Sequence, residues 1–230
     1  MNGAVAVIAA HPDDEVLGCG GTLARMAREG RDVHVLLLAD GETSRLPAEG
    51  QPLDAALLGA RHRAADTACA ILGCRSVQLL GLPDNRLDSL ELLDVVKLIE
   101  RFLERHQPST VFTHHPGDVN VDHRIAHDAV MAACRPQPGF PVTEVLLFEV
   151  ASSTEWRTAG SAAPFHPNWF VDVSSDLAAK MAALSAYASE MRSFPHPRSL
   201  KAVEALAQWR GATMGCAAAE AFVLARRVVR

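Results

Sequence analysis

The chain has 230 residues, 49% of them hydrophobic, and a net charge of −5. That length and apolar content suit one α/β domain, and a mildly acidic chain without a basic run offers no footing for nucleic acid or an anionic membrane. Five cysteines without a CxxC pair read as free thiols of a reducing compartment. With no basic–apolar leader and no stretch near the roughly 20 apolar residues that span a bilayer, the expectation is a cytoplasmic protein without membrane insertion.

The apolar run Ala4-Val5-Ala6-Val7-Ile8-Ala9 reads as a buried strand ended by His11-Pro12. The glycines from Gly18 to Gly21 suggest a loop, followed by a helix from Thr22 to Glu29 that Gly30 stops. Val33 to Ala39 is a second buried strand, and residues 42–52, with Pro47, Gly50 and Pro52, read as a loop. Helical spacing of apolar residues runs from Leu53 to Leu72 and ends at Gly73. Val77 to Leu80 is a third strand, and Ser89 to Arg105 a helix with Leu92, Val95, Val96, Ile99, Phe102 and Leu103 on one face. A fourth strand at Thr110–Thr113, a helix at Ile125–Ala133 and a fifth strand at Glu144–Val150 follow.

Beyond residue 150 the pattern changes. Residues 152–170 read as a loop holding Trp156, Phe165 and Trp169, aromatics that serve packing more often than sugar stacking. Ser174 to Met191 is an amphipathic helix, and the turn Phe194-Pro195-His196-Pro197 precedes a last helix near 199–209. Strands that alternate with helices, each strand a continuous apolar run, predict a Rossmann-like α/β fold. Its sheet is mostly parallel, helices cover both faces, and residues 151–230 form a smaller C-terminal portion of the same domain.

In such sheets ligands sit beyond the C-terminal strand ends. Two polar clusters fall there: His11-Pro12-Asp13-Asp14-Glu15, and His114-His115-Pro116-Gly117-Asp118-Val119-Asn120-Val121-Asp122-His123. Three adjacent acids repel one another unless a cation sits among them, and a divalent metal is the natural candidate. A catalytic zinc takes three His or carboxylate ligands and keeps a position open. His11 and Asp14, three apart, can face one point, and His123 can complete the set. Asp13 is then a neighbouring base, and Glu15 and Asp122 suit outer positions that orient the imidazoles. His114 and His115 read as packing beneath and beside the site, and Cys19 as a buried thiol. Gly18, Gly20 and Gly21 lack the third glycine of a dinucleotide fingerprint, since Leu23 stands there.

The stretch Ala10-His11-Pro12-Asp13-Asp14-Glu15, with Asp122-His123 downstream, resembles the PIG-L/LmbE family of zinc-dependent N-deacetylases. Leu36-Leu37-Leu38-Ala39-Asp40-Gly41-Glu42, Ile71-Leu72-Gly73 and Leu82-Pro83-Asp84 add weaker matches, so that the resemblance covers residues 4–150. It implies removal of acetyl from an N-acetylglucosamine-type amino sugar or its conjugate. It also implies one zinc ion per chain on His11, Asp14 and His123, and Asp13 as general base. Substrate hydroxyls are expected to meet Asp84 and an arginine, Arg61 or Arg63. Several members carry a histidine three residues before the third ligand, where this chain has Asn120. An amide can donate to an oxyanion but cannot transfer a proton. Protonation of the leaving amine is therefore expected from Asp13, with His196 as the other candidate. A non-catalytic carbohydrate-binding protein on the same fold, or an amidase for another amide, are the rival readings. The sequence leaves open whether the chain forms a homo-oligomer.

Overall fold

Alternation along the first strand decides the two-sided core. In β1 (Val5–Ala9), Val5, Val7 and Ala9 pack to one face of the sheet and Ala6 and Ile8 to the other, all with no solvent exposure. A strand buried on both faces has to be apolar at every position, which explains the unbroken run. The computed structural model describes residues 3–45 and 54–229. The expected loop over 42–52 is thus seen only at its start, a single 3₁₀ turn at Thr43–Arg45; its remainder and Leu53 lie outside the described residues.

Seven strands form one sheet in the order β3-β2-β1-β4-β5-β7-β6. β2 (Val33–Ala39), β3 (Ser76–Leu82), β4 (Thr110–His114) and β5 (Glu144–Phe148) run parallel to β1, as expected. Helices α1 (Asp14–Arg28) and α2 (Ala55–Leu72) cover one face, and α3 (Leu92–His106) and α4 (Val121–Ala133) the other. The strand order reverses between β1 and β4, so the loops after these two strands diverge and leave a crevice.

Two elements depart from the sequence reading at the C-terminal end. β6 (Trp169–Asp172) occupies part of the expected loop, and β7 (Ala219–Arg227) had no counterpart. β7 runs antiparallel to both β5 and β6, so the C-terminal portion extends the main sheet. Helix α5 (Leu177–Ala186) is shorter than the amphipathic pattern suggested, and α6 (Leu200–Ala212) follows it.

The glycines of α1 do not form a loop. The helix begins at Asp14 and runs through them, with one kink at Cys19 (φ −146°). A Cβ on Gly18 would stand 2.3 Å from the Phe148 ring, and one on Gly21 2.9 Å from Val173, so these positions are small because other elements press on them. A kink orphans backbone groups, and one buried ion pair satisfies them. Lys180 Nζ donates to the Leu17 carbonyl (2.9 Å) and to Glu220 Oε1 (2.6 Å), and Glu220 accepts from the N–H groups of Gly21 (2.9 Å) and Thr22 (2.7 Å). Lys180→Met would leave Glu220 charged, buried and unpaired. We expect it to lower the unfolding free energy by about 3–5 kcal/mol, read from urea denaturation.

Candidate active site

The ends of β1 and β4 supply the chemistry. After β1 the chain turns at His11-Pro12 and enters α1 through Asp13, which adopts φ 116°, ψ −28°. A non-glycine residue in this region costs on the order of 1–3 kcal/mol and needs surroundings that hold it. After β4 the chain turns through Asp118 and starts α4 at Asn120, whose Oδ1 accepts from the Asp122 N–H at 2.8 Å. Asp122 and His123 therefore stand in the first turn of a helix that begins four residues before the expected start. Together these segments line a polar cleft of about 180 Å³ that also contains Gly41, Ser44, Arg45, Arg61, Asp84, Asn85, Glu190 and Arg198.

Three potential ligand atoms converge there. His11 Nδ1 lies 3.2 Å from Asp14 Oδ2, His123 Nε2 lies 3.2 Å from the same oxygen, and the two ring nitrogens are 3.3 Å apart. Four-coordinate zinc with bonds of about 2.0–2.1 Å sets its ligand atoms about 3.3 Å apart, so the triangle fits such an ion. The far nitrogen of each ring faces carboxylate. His11 Nε2 is 3.0 Å from Asp122 Oδ2 and 3.0 Å from Asp84 Oδ1, and His123 Nδ1 is 3.1 Å from Asp118 Oδ2. With N–H donated on that side, the nitrogen facing the triangle keeps its lone pair for a cation.

A second carboxylate–imidazole group, His11 with Asp84 and Asp122, is also compact enough for a metal. Its oxygens are already engaged. Asp122 accepts from the backbone N–H groups of Asn85 (2.7 Å) and Leu87 (2.9 Å), and Asp84 accepts from the Ser44 hydroxyl and from Asn85 Nδ2. The first triangle is thus the better candidate.

The electrostatics agree. Burial alone would lower the pKa of His123, yet Asp14 and Asp118 overcome it and raise it to about 9. His11 is likewise raised despite burial, by Asp122, Asp14 and Asp84. The field of these carboxylates favours positive charge at the triangle. Burial pushes Asp13 up to about 7, with the Arg198 guanidinium opposing the rise.

Several expected residues behave differently in the fold. Glu15 touches no imidazole: its Oε2 accepts from the Asp13 N–H (3.0 Å) and its Oε1 from the Tyr187 hydroxyl (2.7 Å), so it braces Asp13 instead. His196 is not part of the cleft; its Nδ1 accepts from the Arg198 N–H (3.0 Å) and its ring packs edge-on against Trp156. The proline-flanked turn delivers Arg198 to the cleft in its place. Asn120 lines the cleft, but Oδ1 caps α4 and Nδ2 donates to Asn85 Oδ1 (2.9 Å), which leaves one amide N–H for a substrate. Arg61, and not the exposed Arg63, faces the cleft, paired with Glu42 Oε1 (2.5 Å) and Glu190 Oε1 (2.6 Å). His114 accepts from the Ala10 N–H (2.8 Å) and stacks on His123 at 4.0 Å, and His115 turns to Phe165. Cys19 is a buried free thiol whose Sγ donates to the Glu15 carbonyl (3.3 Å).

Asp118, the partner of His123, stands in the quoted polar cluster but drew no role; only its buried bonds to Ser153, Thr154 and the Asn120 N–H reveal one. Asp118→Asn should weaken metal affinity by roughly 10–100-fold while the other partners stay in place, as measured by competition with a chelating dye.

The comparisons with known proteins follow the same residues. Residues 6–134, which contain both strand-end clusters, match PIG-L, described as GlcNAc-PI de-N-acetylase. The uncharacterized deacetylase YaiS of Escherichia coli K12 is 30% identical over 191 residues, 80% of this chain and 90% of that protein. The diacetylchitobiose deacetylase of Thermococcus kodakarensis is 29% identical, over 81% of this chain and 69% of its own length. The 4-oxalmesaconate hydratase of Pseudomonas putida KT2440 is 30% identical, over 80% of this chain and 72% of its own length. Among solved structures, the conserved protein TT1542 from Thermus thermophilus superposes with a TM-score of 0.74 at 28% identity, covering 98% of this chain and 96% of that one. With the His-Pro-Asp-Asp-Glu turn, the Asp-His pair of α4 and strands β2, β3 and β4 between them all inside the matched segment, the chain belongs to the PIG-L deacetylase family.

Proposed function

We propose that this protein is a zinc-dependent hydrolase that removes the N-acetyl group from an N-acetylglucosamine-type amino sugar or its conjugate, releasing acetate and a free amine. The observation that carries the reading is the triangle of His11 Nδ1, Asp14 Oδ2 and His123 Nε2, spaced for one tetrahedral ion, with a carboxylic acid of shifted pKa beside it. A zinc ion held there supplies Lewis acidity to an amide carbonyl and to a water molecule.

The chain's own groups do the rest. Arg198 occupies Asp13 Oδ2 at 3.1 Å, while Oδ1 has no hydrogen-bonding partner among the described residues. That oxygen takes the proton of the attacking water and returns it to the departing nitrogen, which cannot leave as an amide anion. With His196 outside the cleft, Asp13 serves as both base and acid. Asn120 offers its remaining N–H to the developing oxyanion. Arg61 and Asp84, which also line the cleft, are the groups we assign to the sugar hydroxyls.

The test is a panel of N-acetylated sugars and conjugates incubated with the zinc-loaded protein, with the released amine detected. Release of amine from at least one, lost on chelation and restored by zinc, is the expected result. A panel that yields no amine from fully metallated protein overturns the reading.

A second reading is favoured by one specific observation, the 30% identity to a hydratase over 80% of the chain. Addition of water to a carbon–carbon double bond also needs a base beside an activated water. Loss of enol or diene absorbance with an unsaturated tricarboxylate, and no amine release, would support it. No helix among the described residues is long and apolar enough to cross a membrane.

A further inference from the structure

We infer that the C-terminal portion sets the position of Asp13 from two sides, making Arg198 and Tyr187 positioning residues for the proposed base. The inference rests on the hydrolase reading for its kinetic consequences, but its geometric content stands apart from any substrate.

The first contact is with the carboxylate. Arg198 Nη1 donates to Asp13 Oδ2 at 3.1 Å, and its Nε donates to Ser152 Oγ at 3.1 Å. A guanidinium held at two of its nitrogens is restricted in its motion, and through Oδ2 it restrains the carboxyl group it meets. Oδ2 is thereby occupied, and Asp13 lines the cleft.

The second contact is with the backbone. Asp13 sits at φ 116°, a conformation in which a side-chain-bearing residue relaxes unless it is held. Its carbonyl is held by the Val16 and Leu17 N–H groups (3.1 and 2.9 Å), which any helix start would supply. Its own N–H is held by Glu15 Oε2, and Glu15 is in turn oriented by the hydroxyl of Tyr187, just beyond the end of α5. Glu15 and Tyr187 are fully buried, so this chain of bonds has no water to substitute for a lost member.

Neither partner touches the ligand triangle itself, so each acts on the base without serving the metal. Tyr187 precedes the turn at residues 192–199 and Arg198 lies within it, so one stretch of chain delivers both restraints.

Zinc-loaded wild type, Arg198→Met, Arg198→Lys and Tyr187→Phe are compared by kinetics and crystallography. Arg198→Met should retain one zinc, keep KM within about threefold, and lose kcat by roughly 10–100-fold, because a shift near 1 Å in a reacting group costs about that much. Arg198→Lys should recover part of the loss, and Tyr187→Phe should lower kcat in the same sense. Introduced into Asp13→Ala, Arg198→Met should change nothing further. A loss that persists in the Asp13→Ala background, or one confined to KM, overturns the inference and makes Arg198 a substrate contact. If wild type releases amine from no substrate, the hydrolase reading fails by itself. The crystal structures then decide: a displaced Asp13 carboxylate in Arg198→Met and Tyr187→Phe supports positioning, and an unmoved one refutes it.

Discussion

Asp14→Ala is expected to lose metal and activity together, zinc content dropping from about one per chain to near zero. Asp14 Oδ2 is the shared corner of the triangle, 3.2 Å from each imidazole nitrogen, and it also accepts from the His11 N–H at 2.9 Å. Its removal deletes one of the three proposed ligands and frees the turn that orients a second. Lewis acid and acidified water vanish with the ion, a loss on the order of 10³-fold or more in rate. Asp14→Asn separates the two effects, since the amide can keep the contact to the His11 N–H but is a poor ligand. Metal analysis of dialysed protein, with amine release on the same samples, checks the result. Full zinc occupancy in both variants would move the metal to the other carboxylate group around His11 Nε2.

Asp13→Ala should behave in the opposite way, keeping its zinc and losing turnover by roughly 10²–10⁴-fold, the usual contribution of one acid–base group. Asp13 is not a corner of the triangle, so the ion has no reason to leave. The pH dependence follows from its environment. Burial raises its pKa to about 7 even against Arg198, and only the ionised form can accept a proton from water. Activity therefore rises with pH through this pKa. A divalent cation next to the carboxylate favours the charged form and moves the acidic limb to or below that value. Wild type should show the limb in kcat/KM, and Asp13→Ala should lack it. A variant that retains both zinc and near-normal turnover would remove Asp13 from the mechanism.

The two variants also separate the deacetylase reading from the hydratase reading only weakly, because both chemistries use a base beside a metal. The substrate panel does that work. The carbohydrate-binding alternative is disfavoured by the strained φ of Asp13 and by the buried bonds that maintain it. A recognition surface gains nothing from a carboxylate held at such cost beside a metal triangle.

Much of the candidate site was legible because its pieces are local. His11, Asp13 and Asp14 occupy one turn after a strand whose apolar run declares its end. The pair Asp122-His123 lies after another such strand, so parallel topology alone brings the two clusters to one edge. The parallel strands were readable for a related reason: β1, β2, β4 and β5 are buried almost throughout and mostly apolar, and the edge strand β3, half-exposed and carrying Gln78, still holds a short apolar run. What was not legible depends on contacts between residues far apart in sequence. The glycines of α1 resemble a loop until Phe148 and Val173 are seen pressing on them, and until Glu220 and Lys180, some 160–200 residues away, close the kink. Glu15 stands next to the ligands in sequence, yet the first turn of α1 points it inward to Tyr187 while Asp14 points to the metal triangle. His196 and Arg198 share one proline-flanked turn, and no local pattern says which of two side chains two residues apart enters the cleft. β7 reads as an alanine-rich tail until β5 offers it an antiparallel edge. The sequence by itself determined the metal-ligand candidates, the candidate base and the parallel core, because strand ends and turns encode those within a few residues. Only the tertiary structure decided which carboxylate meets which imidazole and which residues of the C-terminal portion contact Asp13 and Glu15, because those bonds join side chains brought together by packing of the whole sheet.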